Sequence, residues 1–107
     1  MSEMIKCYVK APGGKLQQMD LDNEVGVFQG FVGGYIEVVH ITRNIVMICT
    51  EEGKLRNMEP NFGWLGDVIV GPVIFCGVDG EEFADMPLEF SEFKPHFEAI
   101  AKEVRHG

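Results

Sequence analysis

A change of period at Gly33-Gly34 constrains this chain more than any other feature. Before it, Val25, Phe28, Phe31 and Val32 recur at three- and four-residue spacing, as one face of a helix does. After it, Tyr35-Ile36-Glu37-Val38-Val39-His40-Ile41 alternates with period two, which places Ile36 and Val38 on one face of a strand and Tyr35, Glu37, Val39 and Ile41 on the other. Glycines at such a junction serve as a helix C-cap, because they enter the left-handed region without steric cost. The same glycines lie at the wrong end of the helix to cradle a phosphate, which needs the free N–H groups of a helix start.

The rest of the chain fits an α+β fold with a mixed, mainly antiparallel sheet of five or six strands. Met4 to Lys10 reads as a first strand, Ala11-Pro12-Gly13-Gly14 as a turn, and Leu16 to Leu21 as its return. The internal helix is predicted over residues 23–33, capped by Asp20 or Asp22. Gly26 and Gly30 cost helix stability, so they predict a close backbone approach on that face, to the sheet rather than to a second copy. Ile45-Val46-Met47-Ile48-Cys49 is apolar throughout, as expected of a central strand buried on both faces.

Glu51-Glu52-Gly53-Lys54 predicts a hairpin turn, with Lys54-Leu55-Arg56 returning before a loop that holds Pro60, Asn61, Gly63, Trp64 and Gly66. Val68 to Cys76 is a strand pair, or one strand broken at Gly71-Pro72, and Asp79-Gly80 makes a further tight turn. A C-terminal helix is predicted over residues 91–105, capped by Ser91. It has Phe90 as a staple, Pro95 in the first turn, an apolar stripe of Phe93, Phe97, Ile100, Ala101 and Val104, and Gly107 as a stop.

A chain of 107 residues sits within the size of one domain, and no polar stretch divides it. No apolar run approaches the roughly 18 residues of a membrane span, and the start lacks a basic, apolar leader; both predict a cytosolic protein without a membrane partner. Cys7, Cys49 and Cys76 are too scattered for a disulfide framework or a metal pair, and read as small buried hydrophobes. His40, His96 and His106 show no zinc spacing either, so neither metal nor cofactor is expected.

The net charge of −8 is unevenly placed: Glu59, Asp67, Asp79, Glu81, Glu82, Asp85, Glu89 and Glu92 fall between Arg56 and Lys94, a window without one basic residue. Such a field repels phosphate backbones, and nine scattered Lys and Arg residues form no evident basic patch, so direct nucleic-acid binding is disfavoured. An acidic mimic of nucleic acid is an alternative, against the simpler reading of a solvated surface.

No nucleophile elbow, phosphate loop or metal set is present. Glu37 stands out because a strand face shared with Val39 and Ile41 covers it in part, and a covered carboxylate needs a partner such as Lys54, Arg56 or Arg43. Glu52 and Lys54 lie on the facing turn, Asn61 in the loop beyond, and Trp64 between glycines offers a stacking surface or a lid on the core. These five, Glu37, Glu52, Lys54, Asn61 and Trp64, are the candidate ligand-binding residues; none is assigned a catalytic role.

The elements Val32-Gly33-Gly34-Tyr35-Ile36-Glu37, then Cys49-Thr50-Glu51-Glu52-Gly53-Lys54-Leu55, then Pro60-Asn61 and Asp67-Val68-Ile69-Val70-Gly71 resemble a family of small domains of unknown function. That family occurs in bacteriophages, prophages and mobile elements. The likeness covers nearly the whole chain, with Thr50 where the family commonly has asparagine and Pro72 where threonine often follows the glycine. It implies a phage or prophage accessory protein and no particular chemistry. The expected role is a non-catalytic binding module for a small polar or nucleotide-like ligand or a host protein, with a small enzyme acting on such a ligand as the alternative. Exposed sheet edges and the glycine face also leave room for a homo-oligomer.

Overall fold

The computed structural model describes residues 3–104 and is α+β. The order is β1 (Met4–Lys10), β2 (Gln17–Asp22), α1 (Val25–Val32), β3 (Ile36–His40), β4 (Ile45–Thr50), β5 (Pro60–Trp64), β6 (Asp67–Val70), β7 (Val73–Asp79), β8 (Glu82–Ala84) and α2 (Phe90–Ile100). Six strands form one sheet in the order β2-β1-β7-β4-β3, with β8 also on β7, while β5 and β6 form a separate hairpin. Every pairing among these strands is antiparallel.

The sheet is covered on both faces, and strand alternation decides which residue goes where. Cys7, Val9, Val46, Ile48, Ile74 and Cys76 point toward α1, where they pack with Phe28 and Val32. Tyr8, Ile45, Met47, Val73 and Phe75 point the other way, into an aromatic layer with Phe62, Trp64, Phe93 and Phe97 from the hairpin and α2. Every residue of β4 is buried, as its unbroken apolar run implies, and it lies between β7 and β3 inside the sheet. All three cysteines are free and buried.

Gly77 sits where β7 is most crowded. It pairs with Ile45 of β4 and with Ala84 of β8, so β8 must take the same edge of β7 that β1 uses further along. A Cβ built on Gly77 would lie 2.2 Å from the Asp85 carbonyl oxygen, so only glycine fits.

Several expectations are corrected. The first helix begins at Val25 because Asp20 and Asp22 are held in β2 by pairing with Lys6 and Met4. Glu24 occupies the N-cap without a side-chain bond. Its end is as predicted, with Gly33 left-handed at φ 88. Gly26 and Gly30, however, face open space, with nothing within 4 Å of a built Cβ. The close approach belongs to Gly34, whose built Cβ would meet Thr50 Oγ1 at 2.9 Å.

Lys54-Leu55-Arg56 forms no return strand; residues 51–57 coil as successive turns, closed by Met58 N donating to Gly53 O at 3.0 Å. The expected loop is instead the β5–β6 hairpin, whose two-residue turn puts both Leu65 (φ 48) and Gly66 (φ 86) in the left-handed region. Gly71-Pro72 does break the next run, into β6 and β7 of different sheets.

The C-terminal helix starts a residue earlier than expected and ends at Ile100. Glu89 is its N-cap, Phe90 and Ser91 lie inside it, and Pro95 falls in the second turn rather than the first. Ala101 turns extended (ψ 135) because Lys102 leaves to exchange backbone hydrogen bonds with Gly63, at 2.7 and 2.9 Å, so Val104 is no part of the helix. The expected stop at Gly107 and the last predicted helical position, 105, lie outside the described residues. No helix is long and apolar enough to cross a membrane.

Candidate functional site

The site is built on a bulge. In the β5–β6 ladder Pro60 opposes Val70 and Phe62 opposes Ile69, so Asn61 is the extra residue of β5. A bulge re-aims the side chain it carries, and here it sends Asn61 into the seam between the hairpin and the end of β1. Asn61 is buried, 3% exposed. Its Nδ2 donates to the carbonyls of Lys10 (2.9 Å) and Gly71 (2.8 Å), while its Oδ1 accepts from Lys10 Nζ at 2.7 Å. Two carbonyls on one side and an ammonium on the other fix the amide's orientation.

Lys10 is thereby held rather than left to wander. Its Nζ also reaches the Asn61 carbonyl (3.4 Å) and stands 5.7 Å from the centre of the Phe62 ring, within cation–π range. Burial pulls the Lys10 pKa below its ordinary value, and the nearby Glu103 carboxylate opposes that fall.

Around this pair lies a cleft of about 700 Å³. Its walls are the glycine turn after β1 (Gly13, Gly14, Lys15, Leu16), the later part of α2 (Lys94, Phe97, Glu98) and the segment that follows it, with Asn61 and Phe62 between them. The turn is closed by Gly14 N donating to Ala11 O at 2.9 Å, with Gly13 left-handed at φ 77. Lys10, Lys15, Lys94 and Lys102 all line the cleft, four of the nine basic residues of a chain whose net charge is −8. The eight acidic residues between Arg56 and Lys94 are all exposed, as their composition predicts, and none lines this cleft. The expectation that the scattered basic residues would form no patch is therefore corrected: two stretches distant in sequence, residues 10–15 and 94–102, bring four lysines to the walls of one cleft.

A volume of this order is that of a small-molecule site. Among the described residues the lining supplies four cations, two carboxylates (Glu98 and Glu103), the glycine turn and apolar surface from Leu16, Phe62 and Phe97, and no hydroxyl, thiol or imidazole. Such a lining can bind and orient an anion. Among the described residues no group of three His, Cys, Asp or Glu side chains is arranged to hold a metal ion.

Of the five residues singled out in sequence, Asn61 alone lines this cleft. Trp64 lines a second one of about 560 Å³ beside Leu65 and Ile100, and is otherwise a core residue, 8% exposed, against Phe62, Phe75 and Phe97. Glu37, Glu52 and Lys54 are exposed and line neither cleft. β3 is an edge strand, so the partial cover expected over Glu37 is missing; its Oε1 instead accepts from the Cys49 thiol at 3.7 Å. Lys54 pairs with Asp67 at 2.5 Å, and Arg56 donates to the carbonyl of Gly33. Lys10, Lys15, Lys94 and Lys102 were not candidates in the sequence. The four-residue step from Lys94 to Glu98 is the signal that could have marked one wall.

No curated protein and no solved structure matches the chain. One family pattern does, over residues 5–98, which spans every strand of the fold except the first residue of β1 and most of α2. On that match the chain belongs to the family described as Domain of unknown function (DUF3846).

Proposed function

We propose that the protein is a non-catalytic binding module for a small anionic ligand of nucleotide-like size, seated in the lysine cleft. The observation that carries this reading is the gathering of Lys10, Lys15, Lys94 and Lys102 around one concavity on an otherwise acidic chain. Four lysines and two carboxylates on one cleft leave its lining net positive on a net-acidic chain, which favours a small anion there. Asn61 supplies preorganisation by fixing Lys10.

The surrounding acidic surface adds selectivity. It disfavours long polyanions, whose charge extends past the cleft, and leaves small anions free to enter. In the setting that the family resemblance implies, a phage or prophage accessory protein in the cytosol, a module of this kind sequesters a small metabolite. A host-protein partner is the competing reading.

Titration calorimetry with pyrophosphate, adenosine diphosphate and adenosine tests the proposal. Pyrophosphate and the diphosphate are expected to bind with affinity that falls as salt rises, and adenosine at least tenfold more weakly. Binding of none of them at millimolar concentration, or binding unchanged in a Lys15→Gln, Lys94→Gln double variant, overturns it.

A further inference from the structure

The segment after α2 does not trail away from the cleft. Lys102 is clasped to Gly63 by two backbone hydrogen bonds, at 2.7 and 2.9 Å, and a Cβ on Gly63 would lie only 3.1 Å from Lys102 Cβ, so the clasp depends on glycine. From this anchor Glu103 and Val104 are carried along the cleft wall. The Glu103 charge acts on Lys10, yet the two do not close into an ion pair; among the described residues the ion pair formed is Lys54–Asp67, elsewhere on the surface.

Lys10 has three N–H donors. Asn61 engages it through Oδ1 and the main-chain carbonyl, the second of these a long contact of 3.4 Å, so donor capacity remains. Among the described residues the other charged groups on the cleft are Lys15, Lys94, Lys102 and Glu98. Glu98 lies one helical turn from Lys94 on α2, which ends at Ile100 before Lys102 is reached. Glu103 is the carboxylate whose charge reaches Lys10.

We infer that residues 101–104 form a strap whose Glu103 carboxylate is an internal competitor for the anionic group of the ligand, with Lys10 as the seat the two contest. The inference rests on the binding reading above and adds the place and the gate. A phosphate or carboxylate that reaches Lys10 must work against Glu103 or move it aside. The strap lies beyond the end of α2 and is held at Lys102, so Glu103 can swing from that anchor without unwinding the helix.

The experiment is a titration of the full chain with pyrophosphate, in wild type and in the Glu103→Gln and Glu98→Gln variants. Each variant removes one negative charge from the same cleft. With the strap acting at Lys10, Glu103→Gln binds about tenfold more tightly at low salt, and Glu98→Gln gains no more than about threefold. As an independent readout, the Lys10 ammonium, followed by NMR, titrates at lower pH in Glu103→Gln than in wild type. Equal gains in the two variants, weaker binding by Glu103→Gln, or an unmoved Lys10 titration overturns the strap while leaving the binding reading in place. Failure of pyrophosphate to bind any of the three proteins overturns the binding reading, and the strap's competition falls with it.

Discussion

Asn61 and Lys10 hold each other through three hydrogen bonds: Lys10 Nζ to Asn61 Oδ1 (2.7 Å) and to the Asn61 carbonyl (3.4 Å), and Asn61 Nδ2 to the Lys10 carbonyl (2.9 Å). The side chain that orients the cation thus also ties β1 to the β5 bulge, and through the Gly71 carbonyl it ties in the end of β6. Asn61→Ala removes the donor for two carbonyls at once, at a cost of about 2–4 kcal/mol in urea unfolding. Lys10→Met keeps the aliphatic stem and the Asn61–carbonyl bonds but leaves the buried Asn61 Oδ1 without its ammonium donor, so it is expected to cost about 1–3 kcal/mol while weakening pyrophosphate binding at least tenfold.

The depressed Lys10 pKa sets the pH range of binding. An ammonium seats an anion and a neutral amine does not, so affinity falls as Lys10 loses its proton, which happens below the ordinary lysine value of 10.5 because burial disfavours the charged form. A bound anion favours the ammonium and raises the pKa in the complex, so proton uptake accompanies binding on the alkaline side. Calorimetry in two buffers of different ionisation enthalpy is expected to show uptake that grows as pH rises from neutrality toward the Lys10 pKa. Lys10→Met is expected to reduce the uptake.

The strands of the main sheet other than β8 were legible because their signal is local. Val38 and Val39 alternate across β3, Ile45 to Cys49 are apolar throughout, and Gly33 stops α1; each reading needs only neighbours in sequence. The β5–β6 hairpin was hidden, because its turn places Leu65, a residue with a Cβ, in the left-handed region, where sequence patterns lead one to look for asparagine or glycine. The helix end at Ile100 was hidden for a different reason. Phe97, Ala101 and Val104 keep a helical spacing, and what overrides it is a long-range clasp between Lys102 and Gly63. The site had the same difficulty: Asn61 could be singled out as a polar residue in an apolar stretch, but Lys10 and Lys94 meet it only once strand order and helix placement are known.

Two glycines of α1 carry a cost with no packing return in the described structure. Gly26 and Gly30 lie within the helix with open space where a side chain would stand. Gly26→Ala and Gly30→Ala are each expected to raise stability by about 0.5–1 kcal/mol, measured by thermal unfolding. Gly77→Ala provides the contrast, since its Cβ would fall 2.2 Å from the Asp85 carbonyl on the crowded strand β7; it is expected to cost about 3 kcal/mol. Should the alanines at 26 and 30 leave stability unchanged while shifting the elution volume in gel filtration, the open glycine face serves a second copy of the chain and not the monomer.

The thiols give the last prediction, and its sign follows from burial. Cys49 lies on β4 beside Glu37, and burial followed by that carboxylate pushes its pKa from the ordinary 9.0 up to about 11. Cys76, packed with Cys7 between β7 and β1, is raised as well, by that neighbouring thiol and by burial. A thiol reacts only as thiolate and only where the reagent reaches it; all three cysteines are buried, so in the native protein at pH 8 none is expected to react with Ellman's reagent within minutes, and all three react in 8 M urea. Linkage extends the argument to stability. In the unfolded chain Cys49 loses its proton near pH 9, while in the folded chain it keeps the proton to about pH 11; the unfolded state therefore binds fewer protons across that window, and folding stability falls as pH rises through it. Lys10 works in the opposite direction, because its folded pKa is the lower one, so stability gains with pH between that value and 10.5. Comparing wild type with Cys49→Val cancels the lysine contribution common to both. The expected result is a shallower loss of stability between pH 9 and 11 in Cys49→Val; identical slopes would mean that Cys49 ionises as readily folded as unfolded.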